Sequence, residues 1–392
     1  MSDTTGQDQQ QNMRRVAMTS LAGTSIEWYD FFLYGTAAAV IFPKAFFPQE
    51  LPTMVLLIIS FSTLAVGFLA RPLGGIIFGH FGDRIGRKRT LVVALMMMGV
   101  ATTLIGFLPT YASIGIAAPL LLVALRFIQG LAIGGQWGGA MLLVTESAPS
   151  DQRGWYGAYA QAGAPMGVIL ANLAFIGVSS SMSDEAFMDW GWRLPFIASI
   201  VLIGISMYIQ LKIEDTEAFR SLSDAQSADD KPAAAVERSP VVEAIRKYPK
   251  RIMLAAGAFL SVQVTFYILI AFVIAYGMNS PSVELSRDTM LTAVLVAAAI
   301  MVPTQFYFSG LSDRIGRKNV YRWGAILTGI WGFILFPLID TGDPVMIGFA
   351  ITMGLLFLGM QYGPQAAYFT ELFSTEVRYS GASLGYQIGA IL

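Results

Sequence analysis

The chain has 392 residues, 55% of them hydrophobic and only 13% charged, with a formal net charge of −1. That composition excludes a soluble core inside a charged shell and belongs to a chain that crosses a membrane many times. It has no cysteine, which rules out disulfides, thiolate metal sites and a cysteine nucleophile, and its near-neutral charge gives nucleic acid no footing.

Crossing a bilayer takes about 20 apolar residues per helix. By that measure spans are predicted at 20–44, 54–78, 90–109, 116–145, 155–179, 193–212, 252–278, 289–311, 320–339 and 345–369, with an eleventh starting near Ser380. The first 19 residues are polar and basic, unlike the apolar core and cleavage site of a signal peptide. Residues 214–250 are polar, with Ser221, Asp224 and Pro240 among them. They read as a linker between a six-helix half, 1–213, and a second part, 251–392, that holds about four and a half of six helices. The expected class is an all-α membrane protein.

Two echoes reveal a duplication. GHFGDRIGRK, Gly79 to Lys88, returns 230 positions later as SGLSDRIGRK, Ser309 to Lys318. GGQWGGAMLLVTE, Gly134 to Glu146, returns as GMQYGPQAAYFTE, Gly359 to Glu371, at an offset of 225 that Arg153 and Arg378 share. Matches at nearly one offset mark an internal repeat. Six spans separate the two DRIGRK loops, which puts both on one face of the membrane, as in a parallel repeat of six-helix halves. Extending the offset places the end of a twelfth span near position 438, so the C-terminal end is expected to be short by about two helices. Arg14, Arg15, Arg246, Lys250 and the basic residues of both loops mark one side. The positive-inside rule makes that side, and the N-terminus, cytoplasmic.

Each DRIGRK loop sets an acid beside several bases, with a glycine to turn the chain. The acid is suited to accept from helix N-terminal amides or from a cation on a neighbouring span. Topogenic charge requires only Lys and Arg, so the repeated Asp points to a gate built from Asp83, Arg84, Arg87 and Lys88 on one side and Asp313, Arg314 and Arg317 on the other. Other ionisable groups inside spans are candidates for function because hydrocarbon makes them costly. Glu27 and Asp30 lie three apart on one face of the first span, with Tyr34 four further on. Two carboxylates that close disfavour joint ionisation, which suits a proton-coupling pair. Arg71 and Arg126 are fixed positive charges in the second and fourth spans. An acid of the first span is expected to neutralise one of them until a substrate carboxylate takes its place. Spans seven to ten carry hardly any charge and offer Gln263, Tyr267, Gln305, Gln361 and Gln365 as neutral partners for substrate. Gln136 and Trp137, set among glycines of the fourth span, complete the candidate binding set.

The segments EWYDFFLYG (Glu27 to Gly35), RPLGGIIFGHFGDRIGRK (Arg71 to Lys88), RFIQGLAIGGQWGGA (Arg126 to Ala140) and WGWRLPF (Trp190 to Phe196) resemble the metabolite:proton symporters of the major facilitator superfamily. The resemblance covers essentially the whole chain. It implies the major facilitator fold of two six-helix halves, no cofactor, no metal, no enzymatic activity, and a monomer in the inner membrane whose partners are protons and a small molecule. The permeases it resembles carry shikimate, α-ketoglutarate, citrate, proline or betaine. Arg71 and Arg126 match arginines of that family, whereas Gln136 stands where relatives commonly carry an acid. Gly154, Gly163 and Gly167 keep the spacing of an antiporter signature, but Val168 replaces its proline, which favours symport. The alternative within the fold is a facilitator or exporter of a sugar or a drug-like molecule. A serine-elbow pattern, Gly381 to Gly385, lacks the later histidine it needs, since His80 is the sole histidine.

Overall fold

Each apolar stretch forms a long helix. In the computed structural model these are α1 (Ser2–Val40), α2 (Thr53–Ile85), α3 (Arg87–Phe107), α4 (Ala117–Gly134), α5 (Arg153–Ser179), α6 (Arg193–Lys212), α7 (Pro249–Asn279), α8 (Arg287–Ile315), α9 (Arg317–Ile339), α10 (Pro344–Glu371) and α11 (Arg378–Ile391). The structure describes the backbone at residues 2–85, 87–134, 141, 144–145, 148–212, 245–280, 283–373 and 378–391. It does not describe the side chains at 2–12, 15, 19, 76, 79–85, 87–92, 206, 208–212, 378–380, 383 and 391. Most of the linker predicted at 214–250 lies outside the described residues. No strand occurs among those that are described.

Seven of the helices are long and apolar enough to cross a bilayer, and an eighth qualifies if the bent pair Asp184–Gly191 and Arg193–Ile205 is one span. The predicted positions carry helices beyond that number. α1 misses the mark because Glu27 and Asp30 interrupt its apolar stretch, and only Val93–Phe107 of α3 counts toward it. Large apolar side chains cover the outside, among them Leu254 on α7, Phe333 on α9 and Val345 on α10. A surface of that kind fits contact with lipid. Five helices contain an internal proline, Pro72, Pro165, Pro303, Pro337 and Pro364, which neighbouring helices make tolerable at membrane depth. In α7 a π-helical turn, Ile268–Phe272, follows directly on Tyr267.

The packing partners repeat. α1 packs on α5, α2 on α4 and α3 on α4; six helices later α7 packs on α11, α8 on α10 and α9 on α10. α5 also crosses to α8 and α10, and α2 meets α11.

Glycines set how closely these pairs approach. A Cβ on Gly130 would collide with the Gly67 carbonyl, one on Gly134 with the Arg71 carbonyl, and one on Gly74 with the Leu131 carbonyl. Small residues thus bring α2 and α4 backbone to backbone. Gly163 and Gly167 do the same for α5 against Thr24 and Trp28 of α1, so the glycine spacing read as a transport signature serves packing.

Gly134→Leu is expected to cost on the order of 1–3 kcal/mol through overpacking, measured as a lower unfolding temperature and loss of monodisperse protein in detergent. Gly35→Ala adds a Cβ with nothing within 4 Å and is expected to change neither.

Candidate functional site

The costly groups of the sequence gather around one ring, Phe31 on α1. The Arg71 guanidinium lies 4.9 Å from its centroid and the Arg126 guanidinium 4.5 Å from it. Arg71 also stacks on Phe68 at 4.5 Å, and Arg126 on Tyr34 at 4.3 Å. Both arginines are almost wholly buried, at 1% and 0% exposure. Aromatic faces partly replace lost hydration for a cation. Phe31 itself is held edge-on by Trp28, Phe68 and Tyr267, so α1, α2 and α7 together orient the platform.

Stacking leaves the hydrogen-bonding capacity of these arginines open. None of the three Arg71 nitrogens has a partner at hydrogen-bonding geometry among the described residues, although the Tyr267 and Tyr386 hydroxyls approach it. Arg126 uses one nitrogen, Nη1, which donates to Gln129 Oε1 at 3.3 Å; its Nε and Nη2 have no partner. Unmade hydrogen bonds of buried charged groups are expensive. Two guanidiniums with free donors in one place have the chemistry that an anion's oxygens can satisfy.

Asp30 is buried at 1% exposure, and neither carboxyl oxygen has a hydrogen-bond partner. The Thr102 and Ser199 hydroxyls face it, but they donate instead to backbone one turn back, to the Met98 carbonyl at 2.9 Å and the Pro195 carbonyl at 3.4 Å. Glu27 is half-buried. No ion pair joins Asp30 or Glu27 to Arg71 or Arg126 among the described residues. The neutralising pair expected from the sequence is not formed: aromatic rings, not carboxylates, lie against the guanidiniums.

The other candidates divide. Gln263 Nε2 and the Tyr267 hydroxyl are buried without partners, as are both amide atoms of Gln305 and Gln365. The Tyr34 hydroxyl donates to Thr63 at 2.7 Å, which makes that ring a platform for Arg126 with its polar end engaged. Gln361 turns into the α9–α10 seam and donates to Thr328 at 2.8 Å. Gln136 and Trp137 lie outside the described residues. Sequence reading missed Phe31, Phe68, Thr102, Gln129 and Tyr386. Gln129 had one usable signal, its place three residues after Arg126 on a helix; the rings read as ordinary packing.

At the end of the bundle that carries the basic loops, Asp313 caps a helix. Its carboxylate accepts from the Gly154 and Trp155 amides, both at 2.9 Å, at the start of α5. Arg317 pairs with it at 2.7 Å and reaches Glu371 at 3.3 Å. Gly316, with φ of 93°, turns the chain between α8 and α9. Arg314 is exposed. The side chains of Asp83, Arg84, Arg87 and Lys88 lie outside the description. At the opposite end Arg287 pairs with Asp184 at 2.6 Å, and Ser179 donates to Asp288 at 3.0 Å, again joining the α5 region to α8.

The profile of the Major Facilitator Superfamily matches residues 21–392. The inner membrane metabolite transport protein YhjE of Escherichia coli is 40% identical over 386 residues, 96% of this chain and 84% of that protein. The shikimate transporter of the same bacterium is 40% identical over 380 residues, 97% of this chain and 85% of that protein. A proline/betaine transporter of Salmonella typhimurium is 31% identical and matches 97% of this chain and 75% of that protein. Among solved structures, the xylose transporter XylE of E. coli in a partially occluded inward-open conformation superposes with a TM-score of 0.74 at 15% identity, over 97% of this chain and 89% of its own.

Asp313→Asn keeps the shape of the inter-helix contact and removes its charge. Because the chain has no cysteine, a single cysteine at Ser312, a buried position beside the contact, reports on opening without background. Its maleimide labelling is expected to rise several-fold in Asp313→Asn, the population change that about 1 kcal/mol produces. Unchanged labelling would show that the carboxylate does not hold α5 and α8 together.

Proposed function

Because this multi-pass membrane protein belongs to the major facilitator superfamily, whose members are transporters and not enzymes, we propose that it imports a small organic acid together with a proton by alternating access. The observation that carries this reading is the pair of buried guanidiniums, Arg71 and Arg126, with unused donors against the Phe31 ring, and an unpartnered buried Asp30 on the same helix as that ring.

The substrate carboxylate takes the free donors of Arg71 and Arg126. Arginine stays charged at any working pH, so the receptor never discharges itself. Asp30 carries the proton, with Glu27 as its neighbour on α1. A carboxyl at this depth without a cation partner is costly when ionised. Loading a proton on Asp30 and an anion on the arginines adds no net charge to the site, which couples the two ligands. Gln263, Tyr267 and the amides of Gln305 and Gln365 contribute neutral hydrogen bonds from the opposite side. The relatives named for shikimate and for proline/betaine support a small carboxylate as the cargo class.

Movement follows from the repeat. Residues 1–213 and 251–392 act as two halves joined by 214–250, rocking about the site as a monomer in the inner membrane with the N-terminus inside. Asp313 with Arg317, and its repeat counterpart Asp83 with Arg84, Arg87 and Lys88, close the inner side.

In proteoliposomes with an imposed inward proton gradient, labelled shikimate, α-ketoglutarate and proline are the probes and xylose the comparison. A carboxylate probe is expected to accumulate and to leave when a protonophore is added. Uphill accumulation of xylose alone would contradict the reading. Asp30→Asn is expected to abolish gradient-driven accumulation while leaving counterflow of the same probe, and full accumulation would remove Asp30 from the mechanism. Arg71→Lys is expected to weaken anionic probes roughly tenfold more than proline, the effect of losing a planar two-point contact with a carboxylate; equal weakening would contradict the assignment.

A further inference from the structure

The sequence leads one to expect Asp30 and Arg126 to sense each other through an ion pair, but no such pair exists. A continuous line of hydrogen bonds runs from Arg126 to the threonine that faces Asp30. Arg126 Nη1 donates to Gln129 Oε1 at 3.3 Å. Gln129 Nε2 donates to Thr102 Oγ1 at 2.7 Å. Thr102 then donates its own hydrogen to the Met98 carbonyl at 2.9 Å, while its side chain faces Asp30. All four side chains are buried, at 1% exposure for Asp30 and Gln129 and 0% for Thr102 and Arg126. The line joins α4 to α3 and ends beside Asp30 of α1, and its donors all point away from the guanidinium.

We propose that Thr102 and Gln129 are positioning residues that transmit the proton state of Asp30 to the orientation of Arg126. The inference rests on Asp30 as the proton carrier.

The step requires one hydroxyl rotation. When Asp30 gives up its proton to water, its carboxylate competes for the Thr102 hydrogen, and that hydrogen turns from the Met98 carbonyl to Asp30. The Met98 carbonyl keeps its place in the helical ladder of α3. Gln129 goes on donating to the Thr102 oxygen, which strengthens the threonine as a donor. Its own carbonyl then pulls harder on Arg126 Nη1. The ionised acid is thus tied to the cation through two neutral side chains. When Asp30 regains a proton, Thr102 returns to Met98 and the hold on Arg126 relaxes, so that the guanidinium can swing toward an incoming carboxylate.

The neighbourhood leaves little else to carry this signal. Glu27 and Tyr29 are the titratable groups beside Asp30 on its own helix, and no cation of another helix pairs with it among the described residues. α3 is charged only at its first three residues, Arg87, Lys88 and Arg89. α5 is charged only at Arg153, and α6 only at Arg193 and Lys212. Ser199 on α6 is the rival hydroxyl, and it leads to the Pro195 carbonyl rather than to an arginine.

The test is infrared difference spectroscopy of the full chain in lipid nanodiscs, with the proton as the only probe. The Asp30 carboxyl band is identified by its loss in Asp30→Asn, and its midpoint is read against pH. Thr102→Val and Gln129→Leu are each expected to displace the midpoint by at least one pH unit, a tenfold change in proton affinity. The double variant should go no further than the larger single change, because both cut the same line. Thr102→Ser should restore the wild-type midpoint, and Thr102→Ala replaces Thr102→Val if that variant does not fold. Unmoved midpoints, additive shifts, or a shift in Ser199→Ala with none in Thr102→Val would overturn the relay. If no band disappears in Asp30→Asn, Asp30 as proton carrier falls, and the relay with it.

Discussion

Hydrocarbon offers a charge nothing, so each guanidinium or carboxylate buried in this bundle must be answered by protein or by cargo. Arg71 and Arg126 are answered only in part. Rings of Phe31, Phe68 and Tyr34 lie against their faces, while most of their donors find no acceptor. A ring stabilises a buried cation without consuming its hydrogen bonds. A carboxylate in the same place would have stabilised each arginine more and occupied its donors. The cost of open donors is borne by close packing elsewhere, above all the glycine contacts between α2 and α4 that lock the Arg71 backbone against Gly134.

The same economy appears at the two ends of α5 and α8. At the basic end a single carboxylate, Asp313, satisfies two amides at the start of α5. At the other end Arg287 and Asp288 reach Asp184 and Ser179. These contacts are polar and lie at the two ends of the helix pair. Beside the Asp313 contact the same helices meet through an aromatic surface, Trp155 on Phe306 and on Gly310.

Much of this was legible in the letters. The long helices stand where apolar length placed them, because hydrophobic length is the strongest constraint a bilayer imposes. The Asp of the DRIGRK repeat foretold a helix-capping contact, since topogenic charge does not call for an acid, and Asp313 makes that contact. Arg71, Arg126 and Asp30 were found by the cost of charge at depth. Partner choice was not legible. Opposite charges in neighbouring spans suggested an ion pair, but Phe31, next to Asp30 in sequence, lies against both arginines. Nothing in a one-letter code separates a ring that packs from a ring that shields a cation. Gln361 shows the converse: the lack of charge in its span made it a candidate neutral partner for substrate, and its Nε2 donates into the seam with α9.

The central claim is that anion binding at Arg71 and Arg126 is coupled to a proton on Asp30. Titration calorimetry measures this directly, using the carboxylate that the wild-type protein accumulates best, in two buffers of different ionisation enthalpy. The dependence of the binding heat on the buffer counts the protons taken up with the anion. At a pH above the Asp30 midpoint the account expects uptake of about one proton in the wild type, as charge compensation of one anion requires, and none in Asp30→Asn. The same proton uptake in both proteins, or none in either, would contradict it.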